Sequence, residues 1–358
     1  MFVNSLVTKV IRIHSLNSLT KTKEMKKNIL ILLSATMLAS CGGNSFDVDV
    51  SCIDAKIDIE RFDLDFDTIA PQNIQYSLNA LTEKYGDFAE FYTDGIIGIG
   101  TVETPTLANA YSDFSNYCKS NGIFDDVQKQ FPDLNSLESI MAQGAKHFKY
   151  YFPNDTLPKL YTVVSGFQES MFPTEGIIAV SLDKYLGNTY PHYESLGIEV
   201  YKRRRMIPEM IPADYFRCIA ILNYPKDENA AFNILNEMIY EGRIQYFLNC
   251  MLPETPDSTR WGYTDFQYRW AEYYEEEIWD YLVDKKMLFD TNPIAVRNFT
   301  GEGPFTNAFG NNSAPGCASY CGYRIVCSYM RHNPDVTLKD LMEIKDMNQI
   351  YNKARYNP

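Results

Sequence analysis

Histidine is almost missing from this chain. There are four in 358 residues, and of the three that lie beyond the first forty, His147, His192 and His332, no two stand four apart. That scarcity excludes the paired imidazoles with which a zinc hydrolase holds its metal on one face of a helix. No G-x-S-x-G elbow occurs, so the serine-hydrolase arrangement is excluded as well. Basic residues are outnumbered, 33 against 46 acidic, for a formal charge of −13, and a surface of that sign repels a phosphate backbone. Nucleic acid is therefore not expected as a partner. Internal repeats and low-complexity segments are also absent. What is abundant is aromatic: Tyr 26 and Phe 21, 14% of the chain with Trp, which calls for a well-buried core or a ring-lined groove.

The beginning is the most readable stretch. Met25-Lys26-Lys27 is a basic start, Ile29 to Leu38 an apolar run too short to span a membrane comfortably, and Leu38-Ala39-Ser40-Cys41 a small-residue cleavage site that ends in cysteine. This is the pattern of a bacterial lipoprotein signal, whose cysteine thiol takes the diacylglyceryl group. The predicted organisation is a misassigned start over 1–24, a signal peptide over 25–40, a lipidated tether over 41–53 and a folded part over 54–358. Lipidation is expected at Cys41 and contact with the membrane through N-terminal acyl chains. Removing residues 1–40 leaves 27 basic and 45 acidic residues, a net charge of about −18.

Seven cysteines follow Cys41, an odd number that cannot pair completely within the chain. Cys218 and Cys250 lie in apolar runs and read as buried thiols. Cys317, Cys321 and Cys327 stand close enough for one disulfide or a soft metal, although no histidine completes a zinc spacing, and plain burial is the third option. The single basic cluster, Lys202-Arg203-Arg204-Arg205, reads as a solvated helix face or an internal partner for the acidic excess, with a carboxylate or anionic head group as the alternative.

Residues 54–66 alternate with the period of a strand. Ile74, Leu78, Leu81, Tyr85 and Phe88 follow at helical steps, and Leu134 to Tyr151 is a second predicted helix. Leu160–Val164 and Ile177–Leu182 are β-branched runs that suggest adjacent antiparallel strands. Next come a helix over Pro208–Ile221, an Asp227-capped helix, a long aromatic and acidic helix over Tyr268–Met287, and a Gly-, Pro- and Asn-rich loop from Gly301 to Gly316. That loop is too long for an ordinary connection. Two helices, around Tyr323–Arg331 and Leu338–Arg355, close the chain.

Inside the Asp227-capped helix, Asn236-Glu237-Met238-Ile239-Tyr240 has the outline of H-E-x-x-H with both histidines replaced. Asn236 is a poor zinc ligand and Tyr240 a weak one, so a conventional zinc-protease centre is not expected. Glu237 with Glu241 and a later glutamate offers oxygen to a hard cation, but nothing further in the sequence supports such a site.

Several segments together resemble the gliding-motility lipoprotein GldB family of Bacteroidetes. They include Ile59-Glu60-Arg61-Phe62-Asp63, Tyr85-Gly86-Asp87-Phe88, Leu182-Asp183-Lys184-Tyr185-Leu186-Gly187 and Glu237 through Tyr246. Further along they include Glu275 with Ile278-Trp279, Ser313-Ala314-Pro315-Gly316, Gly322 through Met330 and the terminal Tyr356-Asn357-Pro358. The resemblance runs from about residue 55 to the end. It implies an envelope lipoprotein and a remote similarity to predicted zinc peptidases, with Glu237 at the position of the catalytic glutamate and Glu275 a counterpart of the third ligand. Asp183, Asn236, Glu237, Tyr240 and Glu275 would then line a cleft that binds an envelope protein, a peptide strand or a glycan. A satisfied internal network of the same residues is the competing expectation. Gly42-Gly43-Asn44-Ser45 carries no charged cluster beside the anchor, and surface-exported lipoproteins of these bacteria share such a signal, so an outer-membrane position facing the periplasm is expected.

The predicted fold is α+β, a mainly helical single domain with a small antiparallel sheet, degenerate zincin-like in shape. The predicted role is a non-catalytic binding or scaffolding component, a pseudo-metalloprotease without metal or cofactor. The alternative is a carboxylate- or metal-dependent, peptidase-like hydrolase using Glu237.

Overall fold

A buried helix organises the molecule. In the computed structural model, which describes Phe46 and residues 48–358, Val48–Pro358 makes one compact unit. The predicted signal peptide, the 1–24 segment and Cys41 lie outside the described residues. Among those described are eleven helices of eight or more residues: α1 (Ile74–Tyr85), α2 (Leu107–Ser120), α3 (Ile123–Gln130), α4 (Asn135–Tyr151), α5 (Ile211–Asn223), α6 (Ile234–Met251), α7 (Asp265–Tyr273), α8 (Glu275–Asp284), α9 (Pro293–Thr300), α10 (Ala318–His332) and α11 (Met347–Ala354). Fifteen of the 18 residues of α6 are buried, among them Asn236, Arg243, Gln245 and Asn249, the state of a helix surrounded by others. Its closest partner is α10, where Gly242 of one helix faces Gly322 of the other with backbone against backbone.

Four short strands form the sheet: β1 (Ile59–Glu60), β2 (Lys159–Val163), β3 (Met171–Thr174) and β4 (Ile177–Ser181), in the order β1-β2-β4-β3. The fold is α+β and mainly helical, as the sequence implies, but the sheet is mixed and not purely antiparallel. β1 and β4 both run parallel to β2, and only β3 with β4 forms an antiparallel hairpin, turning at Gly176 with φ +69°. The two β-branched runs are neighbours, as expected, yet parallel, because the intervening Met171–Thr174 segment takes the return direction. Leu160, Val163, Ile178, Ala179 and Val180 are fully buried, which is how the central strands of a covered sheet read.

The alternating 54–66 segment yields only two strand residues before it coils into a short helix, Phe62–Asp67. Phe62 and Phe66, one turn apart on that helix, both enter an aromatic cluster with Tyr85, Phe88, Tyr92, Tyr111 and Tyr161, and edge-to-face contacts such as Phe62–Phe88 at 5.1 Å hold it. Packing two rings at i and i+4 into one cluster outweighs the period-2 pattern. The expected long helix over Tyr268–Met287 is broken at Tyr274 into α7 and α8. α6 starts later than anticipated: its cap is Asn233, whose side chain accepts from the amide of Asn236 at 2.9 Å, while Asp227 caps its own turn through the amide of Asn229.

All seven described cysteines are free, so Cys317, Cys321 and Cys327 form no disulfide. Cys317 and Cys321 are fully buried, and burial pushes the Cys317 thiol up to about 12 and that of Cys327 up to about 11. Thiolate is the reactive form, so alkylation of the folded protein is expected at exposed Cys52 first, with Cys118, Cys250, Cys317 and Cys321 labelled only after unfolding. Timed iodoacetamide labelling read by mass spectrometry checks this; rapid labelling of Cys321 in the folded protein contradicts it.

Candidate functional site

The first turns of α6 carry the degenerate motif. Asn236 is buried, and its Nδ2 donates to the carbonyl of Ala231 at 2.8 Å. Glu237 is paired with Lys226 Nζ, and that ammonium sits 4.9 Å over the ring of Tyr240. The Tyr240 hydroxyl donates to the carbonyl of Tyr224 at 3.3 Å. Arg243, one turn on from Tyr240, donates from Nη1 to the carbonyl of Met342 at 3.0 Å and also to that of Ile344, and burial lowers its guanidinium to about 10. Asn236, Glu237, Tyr240 and Arg243 border one cavity of about 210 Å³, closed on its other side by Lys226, Phe232 and Met347.

The other two candidates stand elsewhere. Asp183, at the end of β4, is fully buried and accepts from the amides of Ser165 at 3.1 Å and Phe167 at 2.6 Å and from the hydroxyl of Ser181 at 2.6 Å. It braces the loop after β2. Glu275 opens α8, where its Oε1 accepts from Arg324 Nε at 3.0 Å and from the hydroxyl of Tyr356 at 2.9 Å, tying α8 to α10 and to the chain terminus. The structure thus brings Asn236, Glu237 and Tyr240 together and leaves Asp183 and Glu275 off that cavity. Among the described residues no group of three or more His, Cys, Asp or Glu side chains is placed to hold a metal ion.

The Lys226–Glu237 pair joins a half-exposed lysine to a more sheltered carboxylate, and such pairs contribute about 1 kcal/mol or less. Lys226→Ala is therefore expected to shift the urea midpoint only slightly. A loss of several kcal/mol would mean that the pair holds the cavity together.

A second cavity, about 190 Å³, opens along the same helix one turn further on. Here Glu241 and Gln245 face the Gly301–Gly303 and Pro315–Gly316 segments, with Arg217 of α5 and the Arg205 and Trp261 side chains as walls. The long loop anticipated between Gly301 and Gly316 therefore borders this cavity. It is braced from within. Thr306 Oγ1 donates to Ala314 O at 2.8 Å, Ser313 Oγ accepts from Thr306 N at 2.9 Å, and Tyr263 OH holds Pro315 O at 2.6 Å. The basic cluster resolves as internal partners: Lys202 with Glu199, Arg203 with Glu194, Arg204 with Gln267 and Arg205 with Asp214. Reading the sequence missed Glu241 and Gln245 as a pair, although their spacing of four was a usable signal. The walls they face come from distant segments.

No helix of the described residues is long and apolar enough to cross a membrane. Against family models, residues 43–358 match the family described as gliding motility protein GldB. No curated protein and no solved structure matches the chain. With a match that covers nearly all of it, from beside the predicted lipidation site to the last residue, the chain belongs to the gliding motility protein GldB family.

Proposed function

We propose that this chain is a lipid-anchored, non-catalytic binding or scaffolding component of the cell envelope. Family membership makes it a gliding-motility lipoprotein of the envelope. To that the proposal adds anchoring through Cys41 after removal of residues 25–40, a tether over 41–53, an outer-membrane position facing the periplasm, and a binding role for the cavities along α6, a metalloprotease-like groove that has lost its chemistry. One observation carries the non-catalytic reading. At the helix where a zinc peptidase keeps its ligands and its base, Asn236, Glu237 and Tyr240 are engaged by Ala231, Lys226 and Tyr224. A general base must reach the proton it takes, and a metal ligand must present a free lone pair. Glu237 takes a proton only by giving up Lys226, Tyr240 keeps its hydroxyl on the Tyr224 carbonyl, and the Asn236 Oδ1, which has no partner, is one weak oxygen ligand and not a metal-holding set.

Metal analysis of the purified protein, with and without chelator, tests the reading. The expected result is no stoichiometric transition metal, an unchanged melting temperature after chelation and no hydrolysis of a generic peptide substrate. Stoichiometric metal, with hydrolysis abolished by Glu237→Gln, would overturn it in favour of the metal-dependent hydrolase. Metal-independent hydrolysis lost in the same variant would favour the carboxylate version.

A further inference from the structure

The cavity at Glu241 and Gln245 has polar walls that are not fully matched by the protein. Gln245 is 4% exposed and its Oε1 has no hydrogen-bond partner; Trp261 is 6% exposed and its Nε1 has none either. A buried polar atom left without a partner costs about 1–3 kcal/mol, and both of these belong to side chains that border the cavity, where a ligand reached by a small side-chain turn would supply the missing bond. The terminal torsion of Gln245 is soft, so its amide can turn to meet an occupant.

The charges of the wall are already balanced. Arg217 is paired with Glu241 at 2.5 Å, Arg205 with Asp214 at 2.5 Å and Lys202 with Glu199 at 2.9 Å, while Glu302 adds a negative charge at the exposed rim. An anion would find no free cation and would meet Glu302. A neutral ligand carrying both donors and acceptors fits instead: the indole N–H is a donor, the glutamine carbonyl an acceptor, and the Arg217–Glu241 pair presents both kinds of group side by side. A peptide strand would look for an open sheet edge, and this cavity is bordered by helices and by the glycine-containing loop, with no strand of the sheet on its wall. Its volume is below the ~300 Å³ at which pockets for drug-sized ligands begin, which limits the occupant to a ring-sized unit.

We propose that this cavity binds the terminal ring of a neutral saccharide through Gln245, Trp261 and the Arg217–Glu241 pair. The half-buried ring of Tyr201 at the mouth offers an apolar face to the C–H side of the sugar. The inference deepens the binding role proposed above and rests on it.

The test uses the full chain in a zwitterionic micelle, with Trp270→Phe and Trp279→Phe so that Trp261 alone reports, titrated with maltose, cellobiose and diacetylchitobiose. Glucuronate and trialanine serve as comparators. Saturable change in Trp261 emission with at least one disaccharide is expected, weakened about tenfold or more by Gln245→Leu. That substitution also relieves the unpaired amide, so its thermal stability is expected to equal or exceed that of the parent while binding falls. By calorimetry Trp261→Phe, which keeps the ring and removes only the N–H donor, should weaken the same disaccharide too. No saturable response to any of the three, or a response that neither variant weakens, overturns the proposal. A response to trialanine alone reassigns the cavity to peptides, and one to glucuronate alone to anions. If no disaccharide binds and the protein remains metal-free and inert, only the saccharide assignment falls; metal-dependent hydrolysis would remove the reading beneath it.

Discussion

Replacing Gly322 by alanine is expected to lower stability by about 2 kcal/mol or more, and valine at the same position to prevent folding. Alanine in a helix interior ordinarily gains about 1 kcal/mol over glycine. Here a Cβ would overlap the Met238 carbonyl and reach within 3.0 Å of the Ile239 amide, both backbone atoms of α6 that cannot rotate aside. The reciprocal position is equally closed, since a Cβ on Gly242 would overlap the backbone of Gly322 and Tyr323. Relief requires α6 and α10 to move apart, and that movement opens the packing around Met238, Ile239, Cys321 and Ile325, all fully buried. Overpacking of a tight core costs typically 1–3 kcal/mol and more where backbone must shift, so the clash outweighs the gain in propensity. Urea unfolding followed by circular dichroism measures the difference. An alanine variant as stable as the parent would show that the two helices do not meet as closely as described.

Asp183→Ala should be comparably damaging, for an electrostatic reason. The carboxylate is the common acceptor for two backbone amides and the Ser181 hydroxyl at the end of the central strand, and Tyr193 OH donates to the Asp183 carbonyl at 2.7 Å. Truncation leaves the Tyr193 bond to the backbone in place but strands the Ser165 and Phe167 amides and takes an acceptor from the Ser181 hydroxyl in a dry interior, at about 1–3 kcal/mol for each left unsatisfied, so a total loss of about 3 kcal/mol or more is expected. The effect should depend on pH. Burial pushes the Asp183 carboxyl above its ordinary value of 3.8, ahead of the opposing pulls of Ser181 and of the Phe167 and Ser165 amides. The folded state therefore holds the proton more tightly than the unfolded one, and the linked stability is fully present below 3.8 and is lost as pH rises through the folded value. The gap between parent and Asp183→Ala should be widest in acid and narrow toward neutrality, read as urea midpoints of both proteins from about pH 4 to pH 7. A gap that widens with rising pH would show that the carboxylate is held ionised by its donors.

Local pattern was a good guide wherever one face of one element meets the core. Ile74, Leu78, Leu81 and Tyr85 are the buried residues of α1, and the glycine that follows, Gly86 with φ +61°, ends the helix where a side chain would be strained. The 54–66 segment misled because its alternation was real but short, and two phenylalanines at helical spacing joined five other rings from segments up to about a hundred residues away. The site divides in the same way. Asn236, Glu237 and Tyr240 share a cavity because they stand on adjacent turns of one helix. Asp183 and Glu275 were grouped with them by resemblance, and no local rule separates them.

By itself, the sequence determined the mainly helical α+β class, the family, the lipoprotein signal pattern and the lack of an imidazole pair, because composition, short-range periodicity and contiguous motifs carry those properties. Only the tertiary structure decided that the sheet is largely parallel, that the Lys202–Arg205 cluster is taken up by three carboxylates and the Gln267 amide of the same chain and that Glu241 and Gln245 face a cavity. Each of these depends on which distant segments meet. The other walls of the Gln245 cavity come from near residues 205, 261, 301 and 315, beside the crossing of α6 and α10 at two glycines. A contact between residues far apart in sequence leaves no periodic trace in either one, so the fold had to close before the site existed.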